Sequence, residues 1–416
     1  MTQTPLEPEI VVNSREELIF LLQEAAEIEH GLMCTYLYAS WSLKGADDGL
    51  SSAQAEAVER WRKAIVSVAV DEMLHLAVVS NLLTAVGAGP HLSRQNLPVT
   101  PGYHPGALVV KLAAFNESTI DHFVYLERPE GVELPDGAEF VHGTWVRPSL
   151  SRDTWMPTAQ DYLTVGHFYR SLRAAFTRLA NRLGEQALFC GDPARQVGPG
   201  ILDWDGLEPV VDVVSAHRAI DLIVEQGEGS PGHVENSHYA RFCTIQEERK
   251  ALQQADPRFE PAHRCATNPV QKRPPKPEGR VHIVHPPAAQ LLDLGNATYN
   301  LMLRTLAQGL GADASIEARR GYIDAAIDGM KLLDRIGRQL ARMPADPERH
   351  PGIHAGLSFA VTRGQAFLPE AGAAKRLLSE RYRELASAFR QVEGQLGGVE
   401  MVATQLAELG AGLPTV

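Results

Sequence analysis

Glu72 and His75 stand three residues apart in "AIVSVAVDEMLHLAVVSNLLTAVG" (64–87), a stretch that otherwise reads as a buried helix. At 100° per residue, Ile65, Val68, Val79 and Leu83 fall within about 40° of Glu72, and His75 lies about 60° away on the same side. An ionised carboxylate alone on such a stripe costs several kcal/mol unless it meets a cation or a paired charge. No Lys or Arg stands close by, since Arg62 and Lys63 lie two to three turns back. The i, i+3 spacing lets both side chains reach one metal ion, and a carboxylate can bridge to a second. Glu-x-x-His alone is common by chance. Its position inside an apolar stripe gives it weight.

The preceding segment repeats the pattern. Over residues 14–42, Leu18, Leu22, Ala25, Glu29, Leu32 and Tyr36 share one face, whereas Glu27 points elsewhere and His30 lies about 100° from Glu29. "NSREEL" supplies the helix start, with Asn13 or Ser14 as cap. A second helix spans 52–87 and closes at "GAGP". Residues 90–158, rich in Pro, Gly and His, read as a crossover or lid containing short amphipathic pieces such as "STIDHFVYLERP". A third helix is expected over 159–184. A fourth starts near 210, breaks at the glycines 227–232 and resumes through "VENSHYARFCTIQEERKAL". Two helices, a long crossover and two more helices is the connectivity of a ferritin-like four-helix bundle, whose metal template is one Glu on each of two helices and Glu-x-x-His on each of the others. The expected class is therefore all-α. The bundle occupies 1–267, a Pro-rich linker 268–280, and a smaller helical region without Glu-x-x-His 281–416.

The stretches "EIEHGLMCTYLYASWSLKG", "VDEMLHLAVVSNLLTAVGAGP", "TVGHFYRSL" and "LIVEQGEGSPGHVENSHYARF" resemble the ferritin-like family of iminophenylpyruvate dimer synthases. Those enzymes couple amino-acid-derived imines in the violacein, rebeccamycin and staurosporine pathways. The likeness covers roughly residues 14–245, and "YNLMLRTL" with "AIDGMKLLDRIGRQLARMP" extends it more loosely. This chain is much shorter than the large synthases, so a stand-alone metallo-oxidase is expected beside an imine-coupling enzyme.

The resemblance also marks His238 of "SHY" as a ligand, and implies Glu where this chain has His167. Helix four carries Glu225-x-x-Glu228, a carboxylate where the template has His. Exchanging a Glu and a His between helices three and four would leave four carboxylates (Glu29, Glu72, Glu225, Glu228) and two imidazoles (His75, His167). Against the exchange, His167 lies roughly 160° from Tyr169 on an unbroken helix, and His238 is the rival second imidazole. Tyr36, Tyr169 and Tyr239 read as packing residues.

Composition bounds the rest. The chain has 416 residues, a net charge of −12 and no basic cluster, which argues against a nucleic-acid surface. Its start lacks the layout of a signal peptide, and no apolar run reads as long enough to span a bilayer, so a cytoplasmic protein without membrane contact is expected. Cys34, Cys190, Cys243 and Cys265 form no CxxC pair. The expected cofactor is two iron ions, with manganese suited by the same oxygen and imidazole donors. Haem stays open, because it has been associated with the larger synthases and His282, His285, His350 and His354 could supply an axial ligand. The expected function is a non-haem di-iron oxidase or oxygenase acting with dioxygen on a small amino-acid-derived substrate of natural-product biosynthesis, homo-oligomers being allowed. The alternatives are imine coupling and a non-catalytic iron-binding or partner protein.

Overall fold

The computed structural model describes residues 7–100, 102–104, 108–140, 155–227, 236–274, 276–311, 314–363 and 367–414. Two long helices form its central hairpin, α1 (Arg15–Ser42) and α2 (Ser52–Ala85). Each starts at a reciprocal cap: Ser14 accepts from the Glu17 amide while Glu17 reaches back, and Ser51 does the same with Gln54. By length and composition α2 could cross a membrane, with mean hydropathy 1.5, which corrects the expectation that no run is long enough. Yet 72% of that window is buried inside the protein, where its apolar stripe serves the bundle core.

The crossover holds a helix of its own, α3 (Glu117–Leu126), started by the Asn116 side chain on the Thr119 amide. Next come α4 (Val165–Leu183), the single turn α5 (Glu185–Leu188), α6 (Val213–Gly227) and α7 (His238–Ala255). Helix α4 begins six residues later than expected, because the Thr164 hydroxyl caps the His167 amide and fixes the start there. Two pairs, α4–α6 and α3–α7, pack against the central hairpin. The segment expected as a lid thus supplies a bundle helix.

The Pro-rich segment 268–280 is closed into a loop. Strands β1 (Pro269–Val270) and β2 (Val281–His282) pair in parallel across it, and Asn268 exchanges hydrogen bonds of 2.9 Å with both backbone groups of Leu112. Beyond it, α8 (Pro286–Gly311) and α9 (Ile316–Leu340) form a second hairpin, joined by α10 (Ala371–Val392) and α11 (Glu400–Gly412). One hydrophobic core runs through both regions. Trp41 of α1 stacks on Phe359 and donates to Asp334 at 2.8 Å. Gly337 of α9 faces the same indole, where any Cβ would overlap the ring.

Candidate metal centre

Each carboxylate and imidazole of the site arrives from a different turn of the bundle. Glu29 comes from α1, Glu72 and His75 from α2, Glu127 from the residue that ends α3, and His238 from the first turn of α7. All five are buried. Two groups of potential ligand atoms result, Glu29 with Glu72 and His75, and Glu72 with Glu127 and His238. Glu72 belongs to both. Its Oε2 lies 2.8 Å from His75 Nδ1, and its Oε1 lies 3.4 Å from His238 Nδ1. The outer carboxylates mirror each other. Glu29 Oε2 faces His75 Nδ1 at 3.4 Å while its Oε1 accepts from the Tyr169 hydroxyl. Glu127 Oε2 faces His238 Nδ1 at 3.5 Å while its Oε1 accepts from the Tyr36 hydroxyl.

The far ring nitrogens fix the imidazoles. His75 Nε2 donates to Gln226 Oε1 at 2.9 Å, and His238 Nε2 faces Asp71 Oδ2 at 3.3 Å, with Arg241 on the same carboxylate oxygen. Metal-ligating histidines are commonly oriented in this way, leaving the other nitrogen for the ion. His238 Nδ1 is buried without a hydrogen bond, a polar atom aimed into a cluster of acids. Oxygen and imidazole donors suit iron or manganese, and the residues present fit a dinuclear metal group.

Electrostatics without a metal show how much charge is confined here. Burial, and then the charge of Glu72, push Glu29 up to about 8. Burial works to lower His75, but its hydrogen bonds to Glu29 and Glu72 prevail and raise it to about 10. Burial also opposes the charged form of Glu72, yet the charge of His238 and contacts with both imidazoles hold it well below the usual carboxylate range. His238 is held well above its usual value, against burial, by Asp71, Glu127 and Glu72. Burial first, then the neighbouring carboxylates, push the Tyr36 and Tyr169 phenols well up, so both stay protonated donors.

A family model described as Ferritin-like matches residues 22–247. The chain belongs to the ferritin-like family. Dichlorochromopyrrolate synthase of Lentzea aerocolonigenes is 29% identical over 418 residues, covering 91% of this ferritin-like chain and 39% of the relative. The 2-imino-3-(indol-3-yl)propanoate dimerase of Chromobacterium violaceum is 28% identical over 367 residues, covering 80% of this chain and 33% of the relative. The chain therefore spans between about a third and two fifths of the length of these curated relatives. A crystal structure of a ferritin like protein from Caulobacter vibrioides has a TM-score of 0.46 and 20% identity, covering 79% of this chain and 96% of that one.

Of the residues expected as ligands, the ferritin-like bundle brings together Glu29, Glu72, His75 and His238. It does not bring His167 or Glu225. His167 points outward from α4, its Nε2 donating to the Pro8 carbonyl at 2.9 Å and its Nδ1 3.3 Å from Glu130. Tyr169 takes the inward face, as the 160° offset requires. Glu225 is exposed on α6, opposite the buried Ile220 and Ile223. Glu228 lies outside the described residues. The exchange of a Glu and a His between two helices is thus unsupported at its described positions.

Glu127 was missed, although its signal is in the sequence: Ile120, Phe123, Val124 and Glu127 repeat the spacing that singles out Glu29 and Glu72, and the three apolar residues are buried. Tyr36 packs against Phe123 and Phe242 as expected, but its hydroxyl also serves Glu127. A second signal is Glu235, three residues before His238, the spacing of Glu72 to His75; it too lies outside the described residues.

Proposed function

We propose that this chain is a metal-dependent oxidative enzyme of natural-product biosynthesis that holds two iron ions and acts on a small imine derived from an aromatic amino acid. The observation that carries the reading is the division of Glu72 between two groups, one oxygen toward His75 and one toward His238. Glu29, Glu72 and His75 would hold one ion, and Glu72, Glu127 and His238 the other. The described residues thus offer three carboxylates and two imidazoles to two divalent ions. When bound, two iron ions supply the means to pass electrons to dioxygen.

The chain's own residues prepare that site. Tyr169 and Tyr36 hold one oxygen of each outer carboxylate, leaving the other to face its imidazole. Gln226 and Asp71 orient the imidazoles. Leu32, Leu126, Val165 and Ile223 give the adjoining cavity, about 30 Å³, apolar walls beside the carboxylates. The names of the two relatives, a synthase and an imine dimerase, support a substrate of this class and keep imine coupling as the second reading.

The test is metal analysis of the purified protein, followed by dioxygen uptake with freshly generated 2-imino-3-(indol-3-yl)propanoate. Two irons per chain and substrate-dependent uptake are expected. A coupled product without uptake would favour the second reading. Protein that takes up no metal would end the first.

A further inference from the structure

Arg128 follows Glu127 directly and, among the described residues, is the only arginine lining the cavity beside the carboxylates. It is 7% exposed. Among the described residues no carboxylate lies within ion-pair distance of its guanidinium. Two carbonyls hold it instead, Tyr125 O at 2.5 Å from Nη1 and Leu163 O at 2.8 Å from Nη2, and it lies over the Tyr125 ring at 3.7 Å. Carbonyls satisfy donors but do not cancel charge. Two divalent ions would take up the three carboxylates Glu29, Glu72 and Glu127 and leave no spare negative charge for it either. A buried guanidinium in that position calls for an anion.

Its surroundings say which kind. Arg128, Leu126 and Val165 line two small cavities at once, the one at the carboxylate cluster and another of about 10 Å³ walled by Leu108, Tyr125, Tyr162 and Leu163. One side of Arg128 is therefore rich in metal ligands and the other is apolar and aromatic. Both cavities are small, so an aromatic ligand enters with movement of the residues that line them. We infer that Arg128 anchors the substrate carboxylate, so that the site takes a 2-oxo or 2-imino acid with its aromatic group toward Tyr125 and Tyr162. This rests on the reading of the metal site above. A guanidinium is suited to the role because its planar fork matches a carboxylate in two parallel hydrogen bonds.

Calorimetry on the metal-loaded full chain tests it with two probes, 3-(indol-3-yl)-2-oxopropanoate and its methyl ester. The wild type should bind the carboxylate about 10- to 100-fold more tightly than the ester, the range for a hydrogen bond to a charged group. Arg128→Gln, which can still donate to Leu163 O, should lose that preference while holding the ester as before, and Arg128→Lys should recover part of it. Metal content should be the same in all three proteins. A preference that survives in Arg128→Gln overturns the assignment, as does its absence from the wild type. Equal weakening of both probes in Arg128→Gln would show a purely structural role and overturn it too. Metal content separates these outcomes from failure of the metal reading, which would appear as protein that binds no iron.

Discussion

At the scale of single residues, Glu72 matters most because both candidate groups of ligand atoms share it. Glu72→Ala should take metal content from two ions per chain to near none, whereas Glu29→Ala or His238→Ala should cost one. Helical content by circular dichroism should stay close to wild type in all three. Full occupancy in Glu72→Ala would falsify the bridging role. Protonation gives a second prediction. At pH 7, Glu29 (about 8), His75 (about 10) and His238 (raised well above its usual value) all carry protons in the metal-free protein. Metal uptake must expel them, about three protons per chain, so affinity rises with pH. At pH 9 the share of Glu29 should vanish from the release measured in weak buffer with an indicator dye. The sign for stability follows from the same two shifts. A raised His75 stabilises the fold fully below about 6.5 and loses that contribution as pH climbs through about 10, and a raised Glu29 loses its own between about 4.5 and about 8. The metal-free melting temperature should thus fall from pH 7 to pH 10, and more steeply than that of metal-loaded protein.

At the scale of elements, α3 decides whether the second candidate group, Glu72 with Glu127 and His238, can form. It is ten residues long, too short to be stable alone, and leans on α7 and on the Tyr36, Phe123 and Phe242 ring cluster. Asn116→Ala removes its cap at a cost of about 1 kcal/mol. The variant should loosen Glu127 and weaken the ion at His238, with little effect on the ion at His75. Cobalt(II) titration followed in the visible should show one tight step kept and one shifted. Parallel weakening of both steps would mean that α3 acts on the whole bundle.

At the scale of the molecule, the bundle and the C-terminal helices share a core instead of meeting at a loose interface. The Trp41–Phe359 stack, the Trp41–Asp334 hydrogen bond and the fit of Gly337 join α1 to α9. Arg319 of α9 donates to the carbonyls of Ala194, Arg195 and Gln196. Thermal unfolding should therefore be one cooperative transition followed alike by all probes. Trp41→Ala should lower stability by about 3–5 kcal/mol, the usual range for losing a buried Trp. Two separate transitions in wild type would show that 281–416 folds by itself.

Glu29, Glu72 and His75 were legible because each sits deep in a helix of 28 or 34 residues, where a 100° step places a side chain reliably among its apolar neighbours. Those long periodic runs also settled the all-α class and the start of the bundle. Glu127 and His238 lie at helix ends, with periodic residues on one side only, so direction was harder to read. His167 and Glu225 had the right chemical types but the wrong faces, because counting donors against a template ignores where a helix turns them. Tertiary structure alone decided that the short α3, not α4, brings the third carboxylate, that Gln226 and Asp71 orient the imidazoles, and that the C-terminal helices complete the core. Those outcomes depend on contacts between residues far apart in the chain, such as Tyr36 with Glu127 or Trp41 with Asp334, and local periodicity carries no information about which distant segments meet.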